Sequence, residues 1–143
     1  MDKKELNIFD KRNCPMSRRP YMSISKNSWQ ISLYKILCEI LKIEAGDRVK
    51  FFQHKSRTKD WYIAKCDKDD TDGFLVKHYV GTKRNTDHFI IYNRILISAI
   101  FNSLALEDNI IKFRLGAIEK VTMEDKEISI FPIMVIKFLK TKH

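Results

Sequence analysis

The stretch Ile43-Glu44-Ala45-Gly46-Asp47-Arg48-Val49-Lys50-Phe51, IEAGDRVKF, joins one apolar pattern to another. Before it, apolar residues fall at Trp29, Leu33, Tyr34, Ile36, Leu37, Ile40 and Leu41, the three-and-four spacing of an amphipathic helix. Gly46 then offers the left-handed residue with which helices commonly end. Arg48 to Gln53, rich in β-formers, reads as the strand that follows. A close echo returns as Leu106-Glu107-Asp108-Asn109-Ile110-Ile111-Lys112-Phe113. At one constant offset of 63, Leu33 pairs with Leu96, Tyr34 with Ile97, Leu37 with Ile100, Leu41 with Leu104, Ile43 with Leu106 and Glu44 with Glu107. A one-residue gap then aligns Val49-Lys50-Phe51 with Ile111-Lys112-Phe113.

Working outward, Met22 to Ser25 reads as a short strand, with Asn27 or Ser28 placed to cap the first helix. Trp61 to Lys65 returns against Arg48 to Gln53 as a hairpin, and Phe74 to Val80 is another strand. His88 to Tyr92 is strand-like, Asn93 is a cap, and Leu96, Ile97, Ile100, Phe101 and Leu104 form a second helical stripe. Ile110 to Leu115 is a strand, Gly116 to Lys126 a hairpin loop and Glu127 to Phe131 the returning strand, with Pro132 marking an edge or a bulge. The expected fold class is α+β, a small barrel-like or two-layer sheet from two pseudo-symmetric strand-helix-strand-strand units. One domain over 21–143 would hold both halves, about 21–80 and 88–138, paired around a pseudo-twofold axis as two chains pair in a homodimer. Residues 1–20 read as a basic, flexible arm.

The first unit runs from Ile24-Ser25-Lys26 through Leu33, Leu37 and Leu41-Lys42-Ile43 to Ala45-Gly46-Asp47-Arg48-Val49-Lys50-Phe51 and Tyr62-Ile63-Ala64-Lys65. Over these roughly 45 residues it resembles the swapped-hairpin AbrB-like (cradle-loop barrel) family of transcription regulators. There a strand leads into a short helix, a Gly-Asp turn follows and a hairpin closes the unit. The second half carries Asp108-Asn109 in place of Gly-Asp. The resemblance implies a half-barrel that intertwines with a second one, both fused here in one chain. It also implies DNA contacts from basic residues before the helix, where this sequence has Arg18, Arg19 and Lys26.

Composition narrows the function classes. The chain has 143 residues and a net charge of +9, from 27 Lys and Arg against 18 Asp and Glu, a balance that attracts polyanions. No apolar run approaches the roughly 20 residues of a membrane span, and residues 1–7 carry no signal-peptide core, so a cytoplasmic protein without a membrane partner is expected. Cys14, Cys38 and Cys66 are odd in number and widely spaced, which fits neither a disulfide framework nor a zinc knuckle. His54, His78, His88 and His143 are scattered, and no phosphate-binding loop or nucleophile elbow is present. Asp67, Asp69, Asp70 and Asp72 miss the calcium-loop register at Lys68 and read as a tight turn before Gly73. No catalytic residue, metal or cofactor is therefore expected.

What remains is a basic cluster. Lys55, Arg57 and Lys59 stand in the loop of the first hairpin, directly before Trp61, and Lys83 and Arg84 stand in the loop before the second unit. Cations of this kind reach phosphates while a neighbouring aromatic offers a stacking face. With Arg18, Arg19 and Lys26 they define the expected nucleic-acid-binding set, for a non-enzymatic protein such as a DNA-binding transcription regulator or accessory factor. DNA is favoured over RNA as partner. The alternative is a protein-interaction or assembly module that binds no nucleic acid, in which a protein partner or self-association uses exposed strand edges.

Overall fold

The computed structural model describes residues 21–67, 69–78 and 88–136. In chain order the elements are β1 (Met22–Ser25), β2 (Gln30–Leu33), α1 (Lys35–Leu41), β3 (Arg48–Gln53), β4 (Trp61–Cys66), β5 (Phe74–Leu75), β6 (Lys77–His78), β7 (Phe89–Tyr92), α2 (Arg94–Leu104), β8 (Ile110–Leu115), β9 (Glu119–Met123) and β10 (Lys126–Val135). The strands lie in the order β5-β3-β4-β10-β8-β1-β2-β7-β6, with β9 on β10 alone. The two ends of this order, β5 and β6, are separated in sequence only by Val76, so one short run of chain holds both edges and the sheet is a nearly closed barrel.

IEAGDRVKF makes that closure. The Asp47 carboxylate accepts the Glu44 amide at 2.8 Å, folding 44–47 into a tight turn. The Gly46 amide then donates to the Val76 carbonyl at 2.9 Å and the Val76 amide donates to the Asp47 carbonyl at 2.9 Å. Gly46 takes φ +94°, which an L side chain rarely adopts. Asp47 is buried, with the Lys65 ammonium 3.8 Å away.

Alternation along each strand builds the interior. Register places Val135, Phe113, Met22, Leu33 and Phe89 in one row across β10, β8, β1, β2 and β7. A second row joins Ile111, Ile24, Ile31 and Ile91. Side chains directly opposite one another share a sheet face, and these pack with Leu37, Leu41, Ile97, Ile100 and Phe101 of the helices into one core. Outside the barrel, the β9–β10 ribbon folds over β3 and β4, where Tyr62, Ala64 and Ile130 form a second small cluster with Phe52, Val121 and Ile128.

Several expectations need correction. Only Lys35–Leu41 of the first apolar stripe is helix, because Gln30–Leu33 alternates apolar and polar side chains and pairs as a strand with β1 and β7. Tyr34, not Asn27 or Ser28, occupies the N-cap. The left-handed C-cap is Lys42 (φ 56°), four residues before Gly46. Ala105 (φ 52°) ends α2 in the same way. These two caps keep the offset of 63, but the N-caps Tyr34 and Asn93 are 59 apart, because α2 has 11 residues against 7 in α1. The offset of 63 is thus kept at the two C-caps and lost at the two N-caps. Within 116–126 the stretch Glu119–Met123 is a strand rather than loop. Pro132 lies in an interior strand, opposite Tyr62 of β4, at the point where β10 leaves β9 for β8. There its missing N–H costs a single ladder bond, and its carbonyl still accepts the Gly116 amide at 2.7 Å.

Asn93 caps α2 as the sequence predicts, its Oδ1 accepting the Leu96 amide at 2.8 Å. Asn93→Ala is expected to lower stability by about 1 kcal/mol, read as a lower urea midpoint at constant slope. An unchanged midpoint would show that the cap contributes nothing.

Candidate nucleic-acid interface

Of the residues expected to bind nucleic acid, Arg18, Arg19, Lys83 and Arg84 lie outside the described residues. Lys55, Arg57 and Lys59 are exposed in the loop between β3 and β4. That loop is tightly organised. The Ser56 and Arg57 amides both donate to His54 Nδ1, at 3.2 and 3.0 Å, and the His54 amide donates to the Asp60 carbonyl at 2.9 Å. The Arg57 guanidinium donates to the Asp60 carboxylate at 2.7 Å, which holds the Arg57 pKa above its ordinary value and offsets much of its charge.

Trp61 belongs to the core. It is 6% exposed, and its Nε1–H donates at 2.7 Å to Ser103 Oγ, which donates in turn to the Ile100 carbonyl at 2.8 Å. Its ring is therefore not the stacking face that the sequence suggests. Strand alternation explains this, since Trp61 and Ile63 both point inward while Tyr62 faces the outer cluster. Lys26, in the turn between β1 and β2, sits with its ammonium 5.2 Å from the Phe101 ring centroid, a cation held over an aromatic face.

The barrel groups a different set of cations. Opposite the interior rows, register aligns Lys112, Ser23, Ser32, Ile90 and Lys77 across β8, β1, β2, β7 and β6. Serine side chains cover the centre of this row, where Ser32 and Ile90 are buried, while Lys112 and Lys77 at its ends are exposed. The Tyr34 hydroxyl meets Ser23 Oγ at 3.0 Å and the Gln30 amide donates to Ser32 Oγ at 3.1 Å. One row away lie Ile110, Ser25, Gln30 and Tyr92, with Ile110 51% and Tyr92 52% exposed at its ends and Ser25 and Gln30 half-buried between them. On the other side of Lys112, Arg114 is exposed and stands opposite Met134 of β10, which lines a shallow cavity of about 260 Å³ together with Lys59.

This part of the surface has a one-sided charge. Strands β1, β2, β6, β7 and β8 and helix α2 contain no Asp or Glu, yet carry Lys77, Arg94, Lys112 and Arg114, with Lys26 in the adjoining turn. The described acids are Glu39 on α1, those around β3 and β4 and on the β9–β10 ribbon, and Glu107 and Asp108 in the loop before β8. Among the described residues, none of these five cations is held in an ion pair, whereas Lys50, Arg57, Lys65 and Lys120 are. Two signals in the sequence mark the region: the acid-free runs 11–38, 88–106 and 109–118, and the alternation Ile111-Lys112-Phe113-Arg114, which puts both cations on the face opposite the core.

The remaining titratable groups are arranged differently. In the acidic turn, Asp70 meets Lys50 at 2.6 Å, and this hydrogen bond holds the Asp70 carboxyl below its usual range. Burial, with Glu39 adding, pushes the Cys38 thiol up to about 11, so it stays protonated as a core residue. Cys66 is also raised, first by burial. Among the described residues no group of three or more His, Cys, Asp or Glu could hold a metal ion. No helix among them is long and apolar enough to cross a membrane. Against known proteins, no family model, no curated protein and no solved structure matches the chain.

Proposed function

We propose that this is a non-enzymatic nucleic-acid-binding protein, of the kind that serves as a transcription regulator or accessory factor. The observation that carries this is the acid-free outer face of β8, β1, β2, β7 and β6 with Lys77, Lys112 and Arg114, flanked by Lys26 in the β1–β2 turn and Arg94 at the start of α2; none of the five has a neutralising partner among the described residues. Cations without internal partners exchange condensed counterions for phosphates, a gain that grows as salt falls. Lys59, beside Met134, extends the surface towards the β3–β4 loop. Anisotropy titration of labelled single- and double-stranded oligonucleotides at low salt tests this. The expected result is binding with a log–log salt slope on the order of −4 for five phosphate contacts. No affinity for any strand at low salt would remove the proposal.

We further propose that the chain is two related halves fused, in the manner of the AbrB-like resemblance. Its support is the pairing of strands between halves. β1 of the first half bridges β2 and β8, and the β5–β6 run at the end of that half bridges β3 and β7. β4 meets β10 and β2 meets β7, like positions in each half.

One observation favours the protein-interaction reading instead. An open groove of about 710 Å³ runs between the β9–β10 ribbon and the outer face of β3 and β4, with Ile40, Ile118 and Met123 exposed along it. Retention on heparin compared with a neutral matrix separates the two. Equal retention favours the partner-protein reading.

A further inference from the structure

The row Tyr92-Gln30-Ser25-Ile110 spans four strands, about 14 Å at the usual strand spacing, room for about four stacked nucleotides. Its Tyr92 end is built for stacking. Trp29, in the β1–β2 turn, is half-buried against the core and adopts φ 52°, a left-handed conformation unusual for a bulky side chain. Across the gap, the guanidinium of Arg94, the first residue of α2, lies 5.0 Å from the Trp29 ring centroid. Arg94 is exposed, and two residues before it the Tyr92 ring is half-exposed. Arginine planes and tyrosine rings are the surfaces on which unpaired bases stack. Between Tyr92 and Ile110 the row carries the Ser25 hydroxyl and the Gln30 amide, whose nitrogen donates to Ser32 Oγ and whose oxygen is an acceptor.

The elements that protrude do not suit a duplex. The major groove of DNA admits a helix or a two-stranded ribbon. The protruding ribbon here, β9–β10, carries Glu119, Glu124, Asp125 and Glu127 against Lys120 and Lys126, and would be repelled by the phosphates that line the groove. The exposed side of α2 after Arg94 offers Ile95, Ala99 and Asn102, without a further cation.

We infer that the Tyr92-Gln30-Ser25-Ile110 row binds unpaired nucleotides, with bases stacked on Tyr92 and on the Arg94–Trp29 pair and phosphates met by Lys26 and Lys112; the ligand is single-stranded nucleic acid. This rests on the nucleic-acid reading above and fails separately from it. The test titrates the full chain with a 20-nucleotide oligo-dT, an oligo-U and a 20-base-pair duplex at low salt. Anisotropy gives affinity, and the emission of Trp29 reports contact at the site, since Trp29 and the buried Trp61 are the two tryptophans. Both single strands are expected to bind on the order of 10-fold or more tighter than the duplex and to quench the exposed emission. Tyr92→Ala, at an exposed position, is expected to weaken single-strand binding roughly 5- to 100-fold. Duplex binding as tight as single-strand binding, or a Tyr92→Ala variant with unchanged single-strand affinity, would overturn the inference and leave the broader proposal standing. Absence of all binding would overturn both.

Discussion

Phe113→Ala is expected to lower the free energy of unfolding by about 3–5 kcal/mol, the range for truncating a buried phenylalanine. Phe113 is 1% exposed and stands in mid-row, with Met22 of β1 on one side and Val135 of β10 on the other. Truncation leaves a cavity between three strands whose backbone ladders prevent the walls from closing in. A domain of this size has a total stability of about 5–15 kcal/mol, so the loss takes a large share. Urea denaturation should show a much lower midpoint with little change in slope, since the same surface is exposed on unfolding. A loss below about 1 kcal/mol would be incompatible with a closed barrel centred on this side chain.

The joint reversal Lys112→Glu and Arg114→Glu is expected to weaken nucleic-acid binding on the order of 100-fold at low salt and to flatten the salt slope by about two. Both side chains are exposed on the outer face of β8, so stability should stay within about 0.5 kcal/mol of the parent. The change in slope distinguishes lost phosphate contacts from unfolding. The matching reversal at Arg57, already engaged by Asp60, should have a much smaller effect on binding. Equal losses at both places would return the interface to the β3–β4 loop.

How much of this was legible beforehand depends on how local the cause is. β3 and β8 are read with their observed bounds, because β8 alternates strongly, β3 is rich in β-formers, and both are bounded by turn residues. The Asn93 cap and the second helix are equally plain, since cap and stripe lie within a few residues of each other. The first helical stripe starts six residues before the helix, because Trp29 and Leu33 fit a three-and-four spacing while Ile31 and Leu33 also fit a period of two. Their neighbours β1 and β7, 55 or more positions away in the case of β7, decide between the two. The basic loop at 55–59 stands out in the sequence because its charges are adjacent. Lys112 and Tyr92 do not stand out, since only strand pairing brings them onto one face of the sheet.

The sequence by itself determined the local elements, the turn at Gly46–Asp47 and the excess of positive charge, all properties of neighbouring residues or of composition. Tertiary structure decided what those elements enclose and expose. It turned IEAGDRVKF from a connection into the clasp on Val76 that brings the two ends of the sheet together. It buried Trp61 and left Tyr92 and Arg94 open, because inward and outward positions are assigned only when strands from distant parts of the chain pair and the barrel curves around one core.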